Sequence, residues 1–318
     1  MIVLFFFILL SCAYSAIYRE VNNITRTNSS FPFNGEVYTG FIPIDNKTNS
    51  MLFYHMFAFN ETTINASAPV ILWLQDCSSL FGSFAEMGPV IVLGTPGNIQ
   101  LVRNPYTWNK YGHLLLVDQP IGTGFSINRG QVMNSAWDAA QHFSIFMARF
   151  YQLFPNLAKE GLYIFGESYG GKWAPVFTYT LLKNTTFSNQ VKILGLGVGD
   201  GWSDPITQAK TSSTFGIATG LINRKTMDNL KLQEAKVFEE TQKQQYWLAT
   251  NLSNNIDDEL CDAAGGINTY DYREYSSDYG EYIDWLNDTD TQKFLGVPPT
   301  PYIDCNDEIS DNFYNDSA

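Results

Sequence analysis

Apolar residues follow three different patterns along the chain. Residues 36–44 (EVYTGFIPI) and 51–59 (MLFYHMFAF) are rich in strand-forming side chains, and the polar stretch 46–50 between them reads as a turn. This predicts two antiparallel strands. Farther on, 70–74, 114–117, 162–165 and 193–198 are short apolar runs with no polar alternation. Such runs predict strands buried on both faces, as in a parallel sheet covered by helices. Between the second and third runs, Met133, Ala136, Trp137, Ala140, Phe143, Met147, Phe150 and Phe154 recur at three- and four-residue spacing, with Pro155 just beyond. That spacing predicts a helix ending near the proline. A second helix is predicted over about 172–182. Strand and helix in alternation give an α/β fold with a mostly parallel central sheet and helices on both faces.

After Asp204-Pro205 the pattern changes. Residues 206–250 place Lys, Gln and Glu at helical spacing, and 268–285 (NTYDYREYSSDYGEYIDW) is rich in Tyr and Asp. We read 206–285 as a helical cap inserted into the core. Its Tyr-rich part is loop and partly exposed helix, with a binding surface as the alternative. The expected organisation is a signal peptide over 1–15, the N-terminal part of the core over 16–205, the cap over 206–285 and a return toward the core over 286–318.

Composition narrows the setting. The 318 residues are 45% hydrophobic, enough for one large core or a core with a smaller companion. The net charge of −13 argues against nucleic acid or an anionic membrane surface as a partner. The opening MIVLFFFILLSCAYSA has an apolar run too short to span a bilayer, followed by Ala13 and Ser15 at positions −3 and −1 of a cut after Ser15. It reads as a secretory signal peptide rather than an anchor. Nine Asn-x-Ser/Thr sequons, at Asn23, Asn28, Asn46, Asn60, Asn65, Asn184, Asn251, Asn287 and Asn315, agree with export and glycosylation. Cys12 lies in the leader, which leaves Cys77, Cys261 and Cys305, hence at most one intrachain disulfide and one leftover thiol. No His or Cys cluster has metal-ligand spacing, and neither metal nor organic cofactor is implied.

The chemistry centres on Gly166-Glu167-Ser168-Tyr169-Gly170, a G-x-S-x-G motif directly after the run Leu-Tyr-Ile-Phe and before a predicted helix. In that context the glycines allow a tight strand-to-helix turn that presents Ser168 as a nucleophile. The backbone N–H of Tyr169 is then an expected oxyanion donor. A serine nucleophile needs a base. The three histidines, His55, His113 and His142, all precede Ser168, whereas in α/β-hydrolases the histidine follows the serine. Each is read as structural.

Several long segments, in order, resemble the serine carboxypeptidases, which are α/β-hydrolases that remove C-terminal residues from peptides at acidic pH. GESYGGKWAP (166–175) resembles the family's Gly-Glu-Ser-Tyr-Ala-Gly-Lys-Tyr-x-Pro. NPYTWNKYGHLLLVDQPIGTGFS (104–126) resembles its Trp-Asn and Asp-Gln-Pro-Val-Gly-Thr-Gly-Phe-Ser segments, and GVGDGWSDP (197–205) its Gly-Asn-Gly or Gly-Asp-Gly segment. APVILWLQDCSSLFGSFAEMGP (68–89) is similar to its Trp-Leu-Asn/Gln-Gly-Gly-Pro-Gly-Cys-Ser-Ser…Glu-x-Gly-Pro. The Gln and the Gly-Asp-Gly lean toward the vitellogenic-like branch, and the likeness covers most of 34–313. It implies that Glu167, Glu86 and Gln75 bind the substrate's terminal carboxylate. Carboxylates so close cannot all be ionised, so protons are shared and acidic pH is implied. It also implies a Cys77–Cys305 disulfide with Cys261 left over, peptide or protein C-termini as substrate, a homodimer, and a secretory route to the extracellular space, lysosome or vacuole.

Two departures from the family pattern bear on activity. Between Gln75 and Cys77, where the family has Gly-Gly-Pro-Gly, this chain has only Asp76. A backbone N–H of that glycine loop is the family's second oxyanion donor; losing one donor typically costs about 10²–10³ in rate, and Asp76 adds a negative charge beside a developing oxyanion. The family's later Asn-Gly-x-x-Asp and Gly-x-Gly-His segments, which hold the acid and the base, are not in these residues. The expectation is therefore a serine-type carboxypeptidase homologue with its sheet incomplete on the C-terminal side, inactive or nearly so as this polypeptide alone. A non-catalytic secreted peptide-binding homologue and an esterase or acyltransferase on the same scaffold are the alternatives.

Overall fold

The computed structural model describes residues 19–24, 31–95, 97–131, 133–268, 271–273 and 280–313. The expected signal peptide with Cys12, the sequons at Asn28 and Asn315, and much of the Tyr-rich stretch lie outside them. The strands are β1 (Asn22–Asn23), β2 (Val37–Asp45), β3 (Ser50–Phe57), β4 (Val70–Leu74), β5 (Val90–Thr95), β6 (Asn98–Arg103), β7 (His113–Asp118), β8 (Leu162–Glu167) and β9 (Ile193–Gly199). Seven form the main sheet in the order β1-β2-β3-β7-β4-β8-β9. β1, β2, β3 and β7 pair antiparallel, whereas β7, β4, β8 and β9 are parallel.

Helix α1 (Ala136–Leu153) begins at Ser135, whose side chain accepts from the Asp138 N–H, and α2 (Gly170–Lys183) follows β8. Both pack on one face of the sheet. There Phe143, Phe146 and Phe150 of α1 and Trp173 and Phe177 of α2 meet Leu72, Leu74, Leu115, Val117 and Ile164. The alternate residues of the same strands, Ile71, Trp73, Leu114 and Leu116, enter the cluster on the opposite face. This is why the strand runs are apolar throughout: successive side chains point to opposite faces, and both faces are covered. Trp137 departs from the predicted buried stripe; it is exposed and packs edge-on against Tyr179.

β9 differs from its expected burial on both faces. Leu194, Leu196 and Val198 are 37%, 47% and 44% exposed. β9 hydrogen-bonds to β8 on one side and has no strand neighbour on the other among the described residues. The two-stranded hairpin β5–β6 was also not anticipated from the sequence. After β9 the chain is helical: α3 (Ser212–Ala218), α4 (Arg224–Gln242) and α5 (Tyr246–Ala263). Ile222 of the α3–α4 turn and the inward residues Met227, Leu230, Val237, Ala249 and Ile256 of α4 and α5 form a small cluster of their own. Then α6 (Glu281–Asn287) and α7 (Thr289–Leu295) cover the second sheet face through Tyr282, Trp285, Leu286 and Leu295, and α8 (Asp307–Phe313) follows.

Candidate active site

Ser168 stands between β8 and α2 with φ +53°, in the left-handed region that non-glycine residues seldom adopt. Tight approaches on either side enforce the bend. A Cβ on Gly166 would lie 2.0 Å from the Gly170 carbonyl oxygen, and one on Gly170 would lie 2.3 Å from the Leu74 carbonyl oxygen. The Ser168 carbonyl accepts from the Gly171 N–H at 2.9 Å and the Trp202 N–H at 2.7 Å, which ties the turn to the segment after β9. Ser168 thus sits at the C-terminal end of a parallel strand and at the N-terminus of a helix, where negative charge is favoured.

Asp76 faces it. Its Oδ1 accepts a hydrogen bond from the Tyr169 N–H, and its carboxylate also takes the Ser168 hydroxyl. Burial raises the Asp76 pKa, and these two hydrogen bonds oppose that rise. The backbone around it is held firmly. Trp173 Nε1 donates to the Asp76 carbonyl at 2.9 Å, Thr123 Oγ1 donates to the Cys77 carbonyl at 2.7 Å, and Cys77 is joined to Cys305 by a disulfide with Cα atoms 5.1 Å apart. Cys261 is free.

One residue earlier, Gln75 is buried with every part of its amide in use. Nε2 donates to Glu86 Oε2 at 2.8 Å and to Glu167 Oε2 at 3.1 Å, while Oε1 accepts from the Gly82 N–H at 2.7 Å. Accepting from Gly82 fixes the amide orientation, so its NH₂ points at both carboxyls. Burial, then the neighbouring Glu167 charge, pushes the Glu86 pKa up to about 7. Burial also raises Glu167. Asn104 secures the Glu86 segment by donating to the Glu86 and Gly88 carbonyls at 2.8 and 2.9 Å.

No histidine joins this group. His55 is fully buried, held neutral by burial that lowers its pKa to about 3, and contacts Ser83 Oγ at 3.2 Å. The His113 ring accepts from the Phe59 N–H at 3.1 Å and lies 3.0 Å from the Ala66 carbonyl. His142 is on α1, and burial lowers the pKa of both His113 and His142, opposed by the charges of Glu160 and Glu36 at His113 and of Asp138 and Asp45 at His142. Among the described residues no group of three or more His, Cys, Asp or Glu could hold a metal ion.

A second polar cluster, not singled out by sequence reasoning, lies behind the Asp76 loop. Asp118 is fully buried and accepts from Ser78 Oγ at 3.0 Å and the Phe125 N–H at 2.8 Å; burial raises its pKa to about 7. The Tyr302 hydroxyl is in short contact with Ser78 Oγ and donates to Asp304 Oδ1 at 3.3 Å. These residues are dispersed in sequence, so no spacing could have flagged them. Beside the Ser168 turn, a cleft of about 880 Å³ runs between the start of α2 and helices α4 and α5, lined by Tyr169, Lys172, Trp202, Asp257 and Phe313 among others; Ser168 itself does not line it. Of the described sequons, Asn23, Asn46, Asn60, Asn65 and Asn287 are exposed, and Asn184 and Asn251 are half-buried.

A mixed sheet with parallel centre, helices on both faces and a serine on a strained strand-to-helix turn define the α/β-hydrolase class. Within it, the family model for serine carboxypeptidases matches residues 28–318, and the chain belongs to that family. A serine carboxypeptidase-like protein of Arabidopsis thaliana is 33% identical over 86% of this chain and 63% of its own length. The vitellogenic carboxypeptidase of Aedes aegypti is 36% identical over 60% of this chain and 40% of its own. The crystal structure of a prohormone-processing carboxypeptidase from Saccharomyces cerevisiae superposes with a TM-score of 0.71 at 23% identity, covering 88% of this chain and 68% of that one, and shows the same fold. The chain spans less than two thirds of the length of these curated relatives.

Proposed function

We propose that this chain binds the C-terminal end of a peptide in the manner of a serine-type carboxypeptidase working at acidic pH. The observation that carries the reading is the Gln75 amide donating to Glu86 and Glu167 together, one peptide bond from Ser168. A peptide's terminal carboxylate meets donors there while these carboxyls hold protons. Glu86, raised to about 7, remains protonated through the acidic range and loses its proton as pH rises through that value. Ser168 then faces the last peptide carbonyl. In acyl transfer its Oγ bonds to that carbonyl carbon, its proton leaves to a base, and the C-terminal amino acid departs as the amine.

A second reading, a peptide-binding homologue that does not turn its ligand over, is favoured by one observation: Asp76 takes the Tyr169 N–H and the Ser168 hydroxyl. With no histidine bonded to Ser168, we infer that turnover by this polypeptide alone is slow or nil. We further assign 206–285 as the cap over the cleft, 16–205 and 286–318 to the core, and 1–15 as a signal peptide directing the chain into the secretory pathway toward the extracellular space, lysosome or vacuole. The sequons are the proposed glycan sites, and no helix among the described residues is long and apolar enough to cross a membrane.

Calorimetric titration with an N-blocked dipeptide, paired with an assay of its hydrolysis, tests the reading. Binding is expected at pH 5, weakening at least tenfold by pH 8, and lost when the ligand's terminus is amidated. Equal binding of acid and amide forms would sink it.

A further inference from the structure

The oxyanion position beside Ser168 is filled from within the chain. A carboxylate oxygen accepting from the Tyr169 N–H stands where the oxygen of a tetrahedral intermediate accepts. The same carboxylate holds the nucleophile's hydroxyl, so one group engages both elements that an incoming carbonyl needs. Its position is not a loose rotamer on a free loop. The Asp76 carbonyl is fixed by Trp173, whose ring is buried in the core, and the next residue is fixed by the disulfide and by Thr123. The start of α2 supplies a partial positive charge that holds an anion there.

We propose that the Asp76 carboxylate is a built-in occupant of the oxyanion position that keeps Ser168 from acyl transfer until it is displaced or removed. This rests on Ser168 being a nucleophile. A substrate carbonyl reaches the Tyr169 N–H only after the carboxylate has left it, and the donor hydrogen bond made to the transition state is offset by the one lost to Asp76. The carboxylate also holds the Ser168 hydroxyl to itself.

The test uses the full chain with Asp76→Asn and Asp76→Ala, and Ser168→Ala as background. Variants are compared after circular dichroism melts show that they are folded. An alkyl fluorophosphonate probe, which bonds to Ser168 Oγ and releases fluoride, is expected to label both variants about 10–100-fold faster than the parent, the range associated with one oxyanion donor. Equal labelling overturns the proposal. Slower labelling of the variants also overturns it, and assigns Asp76 as the group that accepts the Ser168 proton. The contact itself is read by NMR of ¹⁵N-tyrosine-labelled protein, with the Tyr169 amide identified through Tyr169→Phe. Its proton is expected to move upfield in Asp76→Ala relative to the parent; an unmoved resonance overturns the proposal whatever the labelling shows. Dipeptide binding, which tests the wider reading, depends on Gln75, Glu86 and Glu167, so the two can fail separately.

Discussion

Two consecutive residues on one loop meet two consecutive residues on another, with opposite results. Gln75 reaches Glu167, and Asp76 reaches Ser168. In the first pair a neutral amide donates to carboxyls that burial inclines to hold protons, and those protons are what the proposed function offers a ligand. In the second an anion consumes the donors that a reaction requires. Under the proposed function, the difference shows how separable peptide recognition and acyl transfer are in such a site. The recognition half is made of side chains, each replaceable singly. The catalytic half depends on backbone N–H groups, so a change of a few loop residues is enough to fill it.

The largest test of this contrast acts on what holds the second half in place. Cys305→Ala removes a disulfide spanning 228 residues and is expected to cost roughly 2–5 kcal/mol in urea unfolding. A loss well under 1 kcal/mol would mean that the loop is held by Trp173 and Thr123 without it. Next, Gln75→Leu strips both glutamates of their shared donor. It is expected to destabilise by about 1–3 kcal/mol and to abolish dipeptide binding, while leaving the Tyr169 amide resonance in place. Movement of that resonance would show that the halves are coupled.

The pH dependence is smaller. Glu86 and Asp118 have folded pKa values raised to about 7 from ordinary values of 4.5 and 3.8. The native state therefore binds more protons than the unfolded chain between about pH 4 and 7, and stability falls as pH rises through that window. The melting temperature at pH 5 is expected to exceed that at pH 7.5, with Glu86→Gln reducing the gap. A higher melting temperature at pH 7.5 would contradict the assignment. The smallest effect is expected from Cys261→Ser, which lies in neither half. Its thiol donates to the Ile267 carbonyl, a bond serine can keep, and unfolding is expected to shift by no more than about 0.5 kcal/mol.

The parallel strands and α1 were legible because burial on two faces leaves a continuous apolar record, and burial on one side of a helix leaves a periodic one. The Ser168 turn was legible because close backbone contact admits only glycine at 166 and 170. The exposure of β9 was not, since the same apolar letters describe a strand whether or not another covers it. Nor was the β5–β6 hairpin, whose side chains are mostly exposed or half-buried. At the site, the types and order of Gln75, Glu86 and Glu167 could be matched to a family. That Asp76 would seat itself on the Tyr169 N–H depends on loop geometry across 93 positions, which no local pattern encodes.

The bond between Cys77 and Cys305 has a further consequence, in covalent connectivity. It closes a ring that contains β5 to β9 and every helix from α1 to α7. A single proteolytic cut anywhere in that ring, including the exposed turns between α3, α4 and α5, leaves two polypeptides that cannot part. The nicked molecule runs as one species until a reductant separates it into two bands, and the sheet on either side of Ser168 stays assembled while the helices over the cleft are opened.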